Sequence, residues 1–173
     1  MEEEMVNIVD ENNVTLYQTS KKEAHIRGCL HETIIAEIIN PAGDWYLVRQ
    51  SSDRQDAGKL VSPVGGHVRT GESYRQALKR EVFEETGIKS FVAVYKGKTI
   101  YSRKVRDTLE NHYFVIYELH TTKIPHLGPE AEEFVLFPLA TLKKRIQYQP
   151  ELFGQAFFPV IRTAYKDLFS LTS

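Results

Sequence analysis

Hydrophobic residues fall into short β-prone runs in the first two thirds of the chain and into helical spacings later. Runs at 6–10 and 14–17 flank the polar Glu11-Asn12-Asn13, which predicts a hairpin. Residues 19–27 are polar and read as a loop. Residues 28–39 (GCLHETIIAEII) are rich in β-branched side chains and predict a central strand. A turn cluster at 40–44 and a returning strand at 45–50 follow it. Residues 51–59 form a charged loop, and 60–66 lead into a helical stretch. Strands are predicted at 91–103 and 112–120 about a charged turn at 103–111. A loop over 121–133, a short strand at 134–137 and a helix at 139–148 come next. Residues 153–169 have amphipathic spacing, with Pro159 expected to kink or split that helix.

The helix in the middle is the best marked. Ser73 and Gln76 suit a capping box. Ala77, Leu78, Val82 and Phe83 recur as a buried stripe, Gly87 suits a left-handed end, and Ile88 can pack back onto it. Hairpin-linked strands with one inserted helix and more helices at the end predict a mixed sheet between helices.

Composition narrows the class without naming a chemistry. With 173 residues, 42% hydrophobic and 26% charged, the chain reads as one soluble globular domain over 1–173, with residues 1–27 as a hairpin-and-loop extension. The net charge of −1 gives no electrostatic reason to expect nucleic acid or a membrane surface as partner. One cysteine, Cys29, permits no intramolecular disulfide and fits a reducing compartment. The acidic N-terminus lacks the pattern of a signal peptide, and no apolar run is long enough to span a bilayer. The expectation is a cytoplasmic monomer or homodimer.

The chemistry starts on the central helix. Glu81, Glu84 and Glu85 are helical neighbours off the apolar stripe, so their charges repel. A divalent cation relieves that repulsion, and hard Mg²⁺ or Mn²⁺ suits carboxylate oxygens. Gly66, five residues, Glu72, seven residues, then Arg80-Glu81-Val82-Phe83-Glu84-Glu85-Thr86-Gly87-Ile88 resembles the Nudix box at every defined position over 66–88. The resemblance implies an α/β/α sandwich with a mixed sheet and an N-terminal β-hairpin. It also implies Mg²⁺-dependent cleavage of a phosphoanhydride in a nucleoside diphosphate linked to another moiety. By position, Glu81 and Glu85 correspond to metal ligands and Glu84 to a ligand or the base that activates water. Gly65 corresponds to a backbone carbonyl ligand. Arg80, four residues before Glu84, is placed to orient a carboxylate rather than to touch substrate.

A second cluster resembles isopentenyl-diphosphate isomerase, a branch of the same fold with a histidine-rich metal site. In AHIRGCLHET, GGHV and LENHY, the residues His25, His31, His67 and Glu110 match its ligands, implying a second site suited to Zn²⁺ or Mn²⁺. Glu110 and His112, two apart on a strand, share a face. Two departures stand against isomerase chemistry: Gly65 occupies the position of the catalytic cysteine and His112 that of the catalytic glutamate. Cys29 on a strand reads as a small core residue rather than a substitute. The whole pattern is similar to the isomerase-like Nudix hydrolases, though Leu60 stands where an aromatic is common.

Arg49, Arg54 and Lys59 are candidate phosphate contacts, weighed against simple solvation. Glu130 and Glu133 lie where such hydrolases often carry a further carboxylate, and Glu130 is the second candidate base after Glu84. The rival functions are the isomerase and a non-catalytic nucleotide sensor; an intact acidic box argues against the sensor.

Overall fold

The computed structural model describes residues 3–105, 108–128 and 131–169. The N-terminal strands β1 (Met5–Val9) and β2 (Thr15–Ser20) form the expected hairpin about Asn13, whose φ of 66° is left-handed. The expected loop at 19–27 is instead the end of β2 followed by α1 (Lys21–Arg27). Ser20 Oγ accepts from the Glu23 N–H at 3.2 Å, and Gly28 at φ 64° closes the helix. This helix buries only Ala24, packed near Val6 and Ile8, so its hydrophobic signal is a single residue.

Next come β3 (His31–Ile39), β4 (Trp45–Gln50), β5 (Leu60–Val61), β6 (Val64–His67) and α2 (Tyr74–Thr86). After them follow β7 (Val92–Val105), β8 (Thr108–His120), β9 (Ala131–Phe137), α3 (Leu139–Tyr148) and α4 (Phe157–Ala164). All nine strands belong to one mixed sheet. β3 is buried along its whole length, which explains a β-branched run without polar alternation. It pairs in parallel with β8 from His31↔His112 to Ile39↔His120, and antiparallel with β6 from Thr33↔His67 to Ala36↔Val64. Ile34, Ala36 and Ile38 cluster with Ala77, Leu78 and Val82 of α2 on one face. The alternate residues Ile35 and Ile39 belong to clusters with Val160 and Ile161 of α4, so helices cover both faces.

Several boundaries differ from expectation. The turn between β7 and β8 is shorter than 103–111, because Arg103–Glu110 and Lys104–Leu109 pair within the hairpin. β9 begins at Ala131, three residues early, drawn into register with β4. Of the predicted 153–169 helix only α4 forms, from Phe157 to Ala164, after a separate 3₁₀ turn at Pro150–Leu152. Gly154 N–H bonds the Leu60 carbonyl at 2.9 Å, holding the intervening chain out of helix. Pro159 is the third residue of α4, in the first turn, where it has no intrahelical bond to lose. It neither kinks nor splits the helix.

Candidate active site

α2 carries both predicted caps: Ser73 and Gln76 bond each other's backbone N–H groups, and Gly87 at φ 69° ends the helix. Ala77, Leu78 and Val82 are buried, as is Ile88, but Phe83 is half exposed with the Lys89 ammonium 5.1 Å from its ring centre. The buried stripe lacks Phe83 because Glu81 takes a place in it.

Glu81 is buried, and burial raises its pKa against the opposing pull of Arg80. Arg80 gathers the surrounding acids. Its guanidinium donates to both Glu72 oxygens at 2.8 Å, to Glu81, to Glu84 at 3.4 Å and to the His67 carbonyl at 2.9 Å. The Arg80 bonds hold the Glu72 carboxyl below its ordinary range. Gly66 is required by contact: a methyl group there would overlap the Glu81 carboxyl. A methyl on Gly128 would come within 2.9 Å of Glu85, so a loop after β8 closes over that end of α2.

These acids rim a cleft of about 1170 Å³ on the sheet face opposite the body of α2. Gly65, Glu81, Glu84, Glu85 and Arg80 line it. Arg54 lines it too, whereas Arg49 and Lys59 do not. Arg49 braces the scaffold instead, donating to Glu133 at 2.6 Å and to the Gly58 carbonyl at 2.9 Å, which gives both Arg49 and Glu133 a structural partner. Glu130 lies outside the described residues. Arg103 was not anticipated: it holds Asp56 at 2.6 Å and Glu110 at 2.7 Å, fastening the 51–59 loop across to the β7–β8 hairpin. Arg103 and Glu110 face each other across one hairpin, but Asp56 joins them from a distant loop, so no local pattern signals the trio.

His25, His67 and His112 line the same cleft, and the buried His31 ring packs against them. The ligand atoms of His25, His31, His67 and His112 all lie within 4.8 Å of one another. The His25 and His67 Nε2 atoms are 3.3 Å apart, and those of His25 and His112 are 3.5 Å apart. The fourth member is therefore His112, level with His31 across the sheet, while Glu110 is taken by Arg103. Glu110, expected as a member, also lines the cleft and pulls the His25 pKa up against the larger lowering by burial. Burial dominates in all four rings and keeps them neutral. It pushes His31 down to about 4 and His112 and His67 well below the ordinary value. His31 Nδ1 contacts the Cys29 carbonyl at 2.7 Å, leaving a buried Nε2 with no protein partner among the described residues. Cys29 itself does not line the cleft; its thiol sits 3.3 Å from the Tyr17 hydroxyl.

A mixed sheet between helices carries an arginine-organised acidic rim on its open cleft. A model of the NUDIX domain matches residues 30–155, so the chain belongs to the Nudix family and is an enzyme of the Nudix hydrolase class. An uncharacterized Nudix hydrolase of Streptomyces coelicolor is 36% identical over 91 residues, 49% of this chain and 48% of that one. An isopentenyl-diphosphate Delta-isomerase of Jannaschia sp. is 30% identical over 146 residues, covering 82% of each. The crystal structure of DR0079 from Deinococcus radiodurans superposes with a TM-score of 0.71 at 19% identity, over 92% of this chain and 99% of that one. No helix among the described residues is long and apolar enough to cross a membrane.

Proposed function

We propose that this protein hydrolyses a phosphoanhydride in a nucleoside diphosphate linked to another moiety, with Mg²⁺ as cofactor and Mn²⁺ a substitute. The observation that carries the reading is the Arg80-centred rim, in which one guanidinium orients Glu72, Glu81 and Glu84 beside Gly65 and Glu85. This donor set is all oxygen and fits a hard divalent cation, held by Glu81, Glu84, Glu85 and the Gly65 carbonyl. Such an ion supplies charge neutralisation at the bridging phosphates and a lowered water pKa. Glu84, the more exposed rim acid, takes the proton of the attacking water, and Glu130 is the second candidate. Arg80 keeps its contacts to the carboxylates and does not bind substrate. Arg54 and Arg69, both in the cleft wall, are placed for phosphate oxygens.

The four neutral imidazoles form a second, softer site in this proposal, suited to Zn²⁺ or Mn²⁺. The orphaned His31 Nε2 supports it, since a buried ring nitrogen without a partner is costly. Isomerase chemistry is the second reading, favoured by the histidine cluster and by the likeness to the Jannaschia isomerase. Gly65 and His112 supply neither the thiol nor the carboxyl that proton transfer at an alkene would use.

A hydrolysis screen over nucleotide sugars, dinucleotides, coenzyme A and nucleoside triphosphates tests the reading. At least one should be cleaved with Mg²⁺, activity should vanish in excess chelator, and Mg²⁺ should restore it. Conversion of isopentenyl diphosphate to its allylic isomer, without hydrolysis of any panel member, would overturn it.

A further inference from the structure

Glu37 is a buried acid of the sheet interior with no place in the chemistry above. It lies on β3, fully buried, on the same face as Ile35 and Ile39. One carboxyl oxygen accepts from the Ser62 hydroxyl, and the other has no partner among the described residues. Opposite it in register on β8 stands Glu118. Lys96 of β7 reaches Glu118 at 3.6 Å, and the His120 ring contacts it at 2.7 Å, so both neighbours are spent on Glu118. Tyr165, just past α4, brings a buried hydroxyl near Glu37 and Glu118, and its ring carries the Lys96 ammonium at 5.0 Å. No cation among these groups is directed at Glu37, so an ionised Glu37 would be a buried charge facing another negative group, at a cost of several kcal/mol in general. Burial accordingly pushes its pKa up to about 8.

Ser62 connects this acid to the cleft. It lines the cleft wall, and the Ser62-Pro63-Val64 segment runs directly into Gly65 and Gly66. Gly66 lies against the Glu81 carboxyl, so a shift of this segment changes the seat of the rim.

We propose that Glu37 is a positioning residue. As an uncharged acid it holds Ser62, and through Ser62 it fixes the strand that delivers Gly65 and Gly66 to the acidic rim. The assignment rests on the cleft being the reaction site. Loss of the proton leaves one carboxylate oxygen charged and unpaired opposite Glu118. The Ser62 bond to the carboxylate then tightens, drawing the Ser62–Gly66 segment toward β3, and the rim loses its register. The protein would thus carry its alkaline limit in the wall behind the site.

The test reads the protein without substrate first. Glutamate ¹³C-carboxyl NMR should find Glu37 protonated at pH 7, and the amide resonances of Val64, Gly65 and Gly66 should shift with its midpoint near pH 8. In Glu37→Gln, a neutral isostere that keeps the Ser62 contact, those amides should not titrate. On any substrate the screen finds, wild-type kcat should fall about tenfold between pH 7 and 9, more than KM changes, and Glu37→Gln should lack that fall. Glu118→Gln removes the facing charge and should move the midpoint to lower pH, which serves if Glu37→Gln does not fold. A Glu37 carboxylate already ionised at pH 7, rim amides unmoved from pH 6.5 to 9.5, or a midpoint unaffected by Glu118→Gln would overturn the inference. The NMR arm stands even if no substrate is hydrolysed, so failure of the hydrolase reading is distinguishable from failure of this one.

Discussion

The acidic rim and the histidine pocket share one cleft but are prepared by opposite electrostatics. At the rim, Arg80 supplies a counter-charge that holds Glu72 and Glu81 in place, and Glu84 stands half exposed in water. In the pocket, His31 and His112 are buried and His25 and His67 partly so, and burial keeps all four rings neutral, with Glu4 reaching only His67, at 3.7 Å, among the described residues. The first arrangement accumulates negative charge; the second removes positive charge. Like charges are tolerable at the rim because an arginine and solvent moderate them. In the pocket the same density of charge would be prohibitive, so the residues there are ones that can be neutral at pH 7.

The largest effect that can test this contrast is at the rim. Glu85→Gln should lower hydrolysis by about 10²-fold or more, equivalent to several kcal/mol of transition-state stabilisation. The metal-free variant should melt no lower than wild type, because one repelling charge is gone. Near-normal turnover would refute the role given to the rim.

Gly66→Ala probes the same acids through packing. The added methyl collides with the Glu81 carboxyl, and the variant should lose about 1–3 kcal/mol of stability and most of its activity. Unchanged denaturant midpoints would show that Glu81 has a second comfortable position.

The pocket should respond to acid where the rim does not. Its rings have folded pKa values below the ordinary 6.5, so the unfolded chain binds protons first as pH falls. Their contribution is whole above about pH 6.5 and is lost as pH drops toward the folded values. For His31, at about 4, the loss should approach 2 kcal/mol by pH 5. Thermal melts of metal-free protein from pH 7 to 5 should show this decline, and His112→Gln should blunt it. A flat profile would mean the rings are already protonated or solvated. Bound Zn²⁺ should leave over the same interval, with titration calorimetry showing weaker binding in His112→Gln.

Arg49→Ala should be the smallest change. Its pairing with Glu133 is partly exposed, so a loss of about 0–1 kcal/mol is expected, with kcat/KM unaltered. A large drop in kcat/KM would put Arg49 back among the phosphate contacts.

The rim was legible because its information is local. Capping residues, the glycine that ends α2, and the spacing of Glu72, Arg80 and the three acids all act within one helix and its approach. Periodicity also located β3, β4 and α3 closely. It failed where a neighbour outside the segment decides: α1 buries a single residue, Phe83 yields its buried place to Glu81, and Gly154 is held by Leu60 before α4 can start.

Sequence alone could place three histidines and an acid near one another by resemblance, but it could not choose the fourth partner. The parallel pairing of β3 with β8 puts His112 level with His31, while the antiparallel pairing of β7 with β8 puts Glu110 opposite Arg103. A side chain's alternation along its own strand is written in the chain. Which residue stands beside it on the next strand depends on register, a property of two segments far apart in sequence. The rim was therefore determined by the order of residues, whereas the composition of the histidine pocket and the isolation of Glu37 were decided only when the strands met.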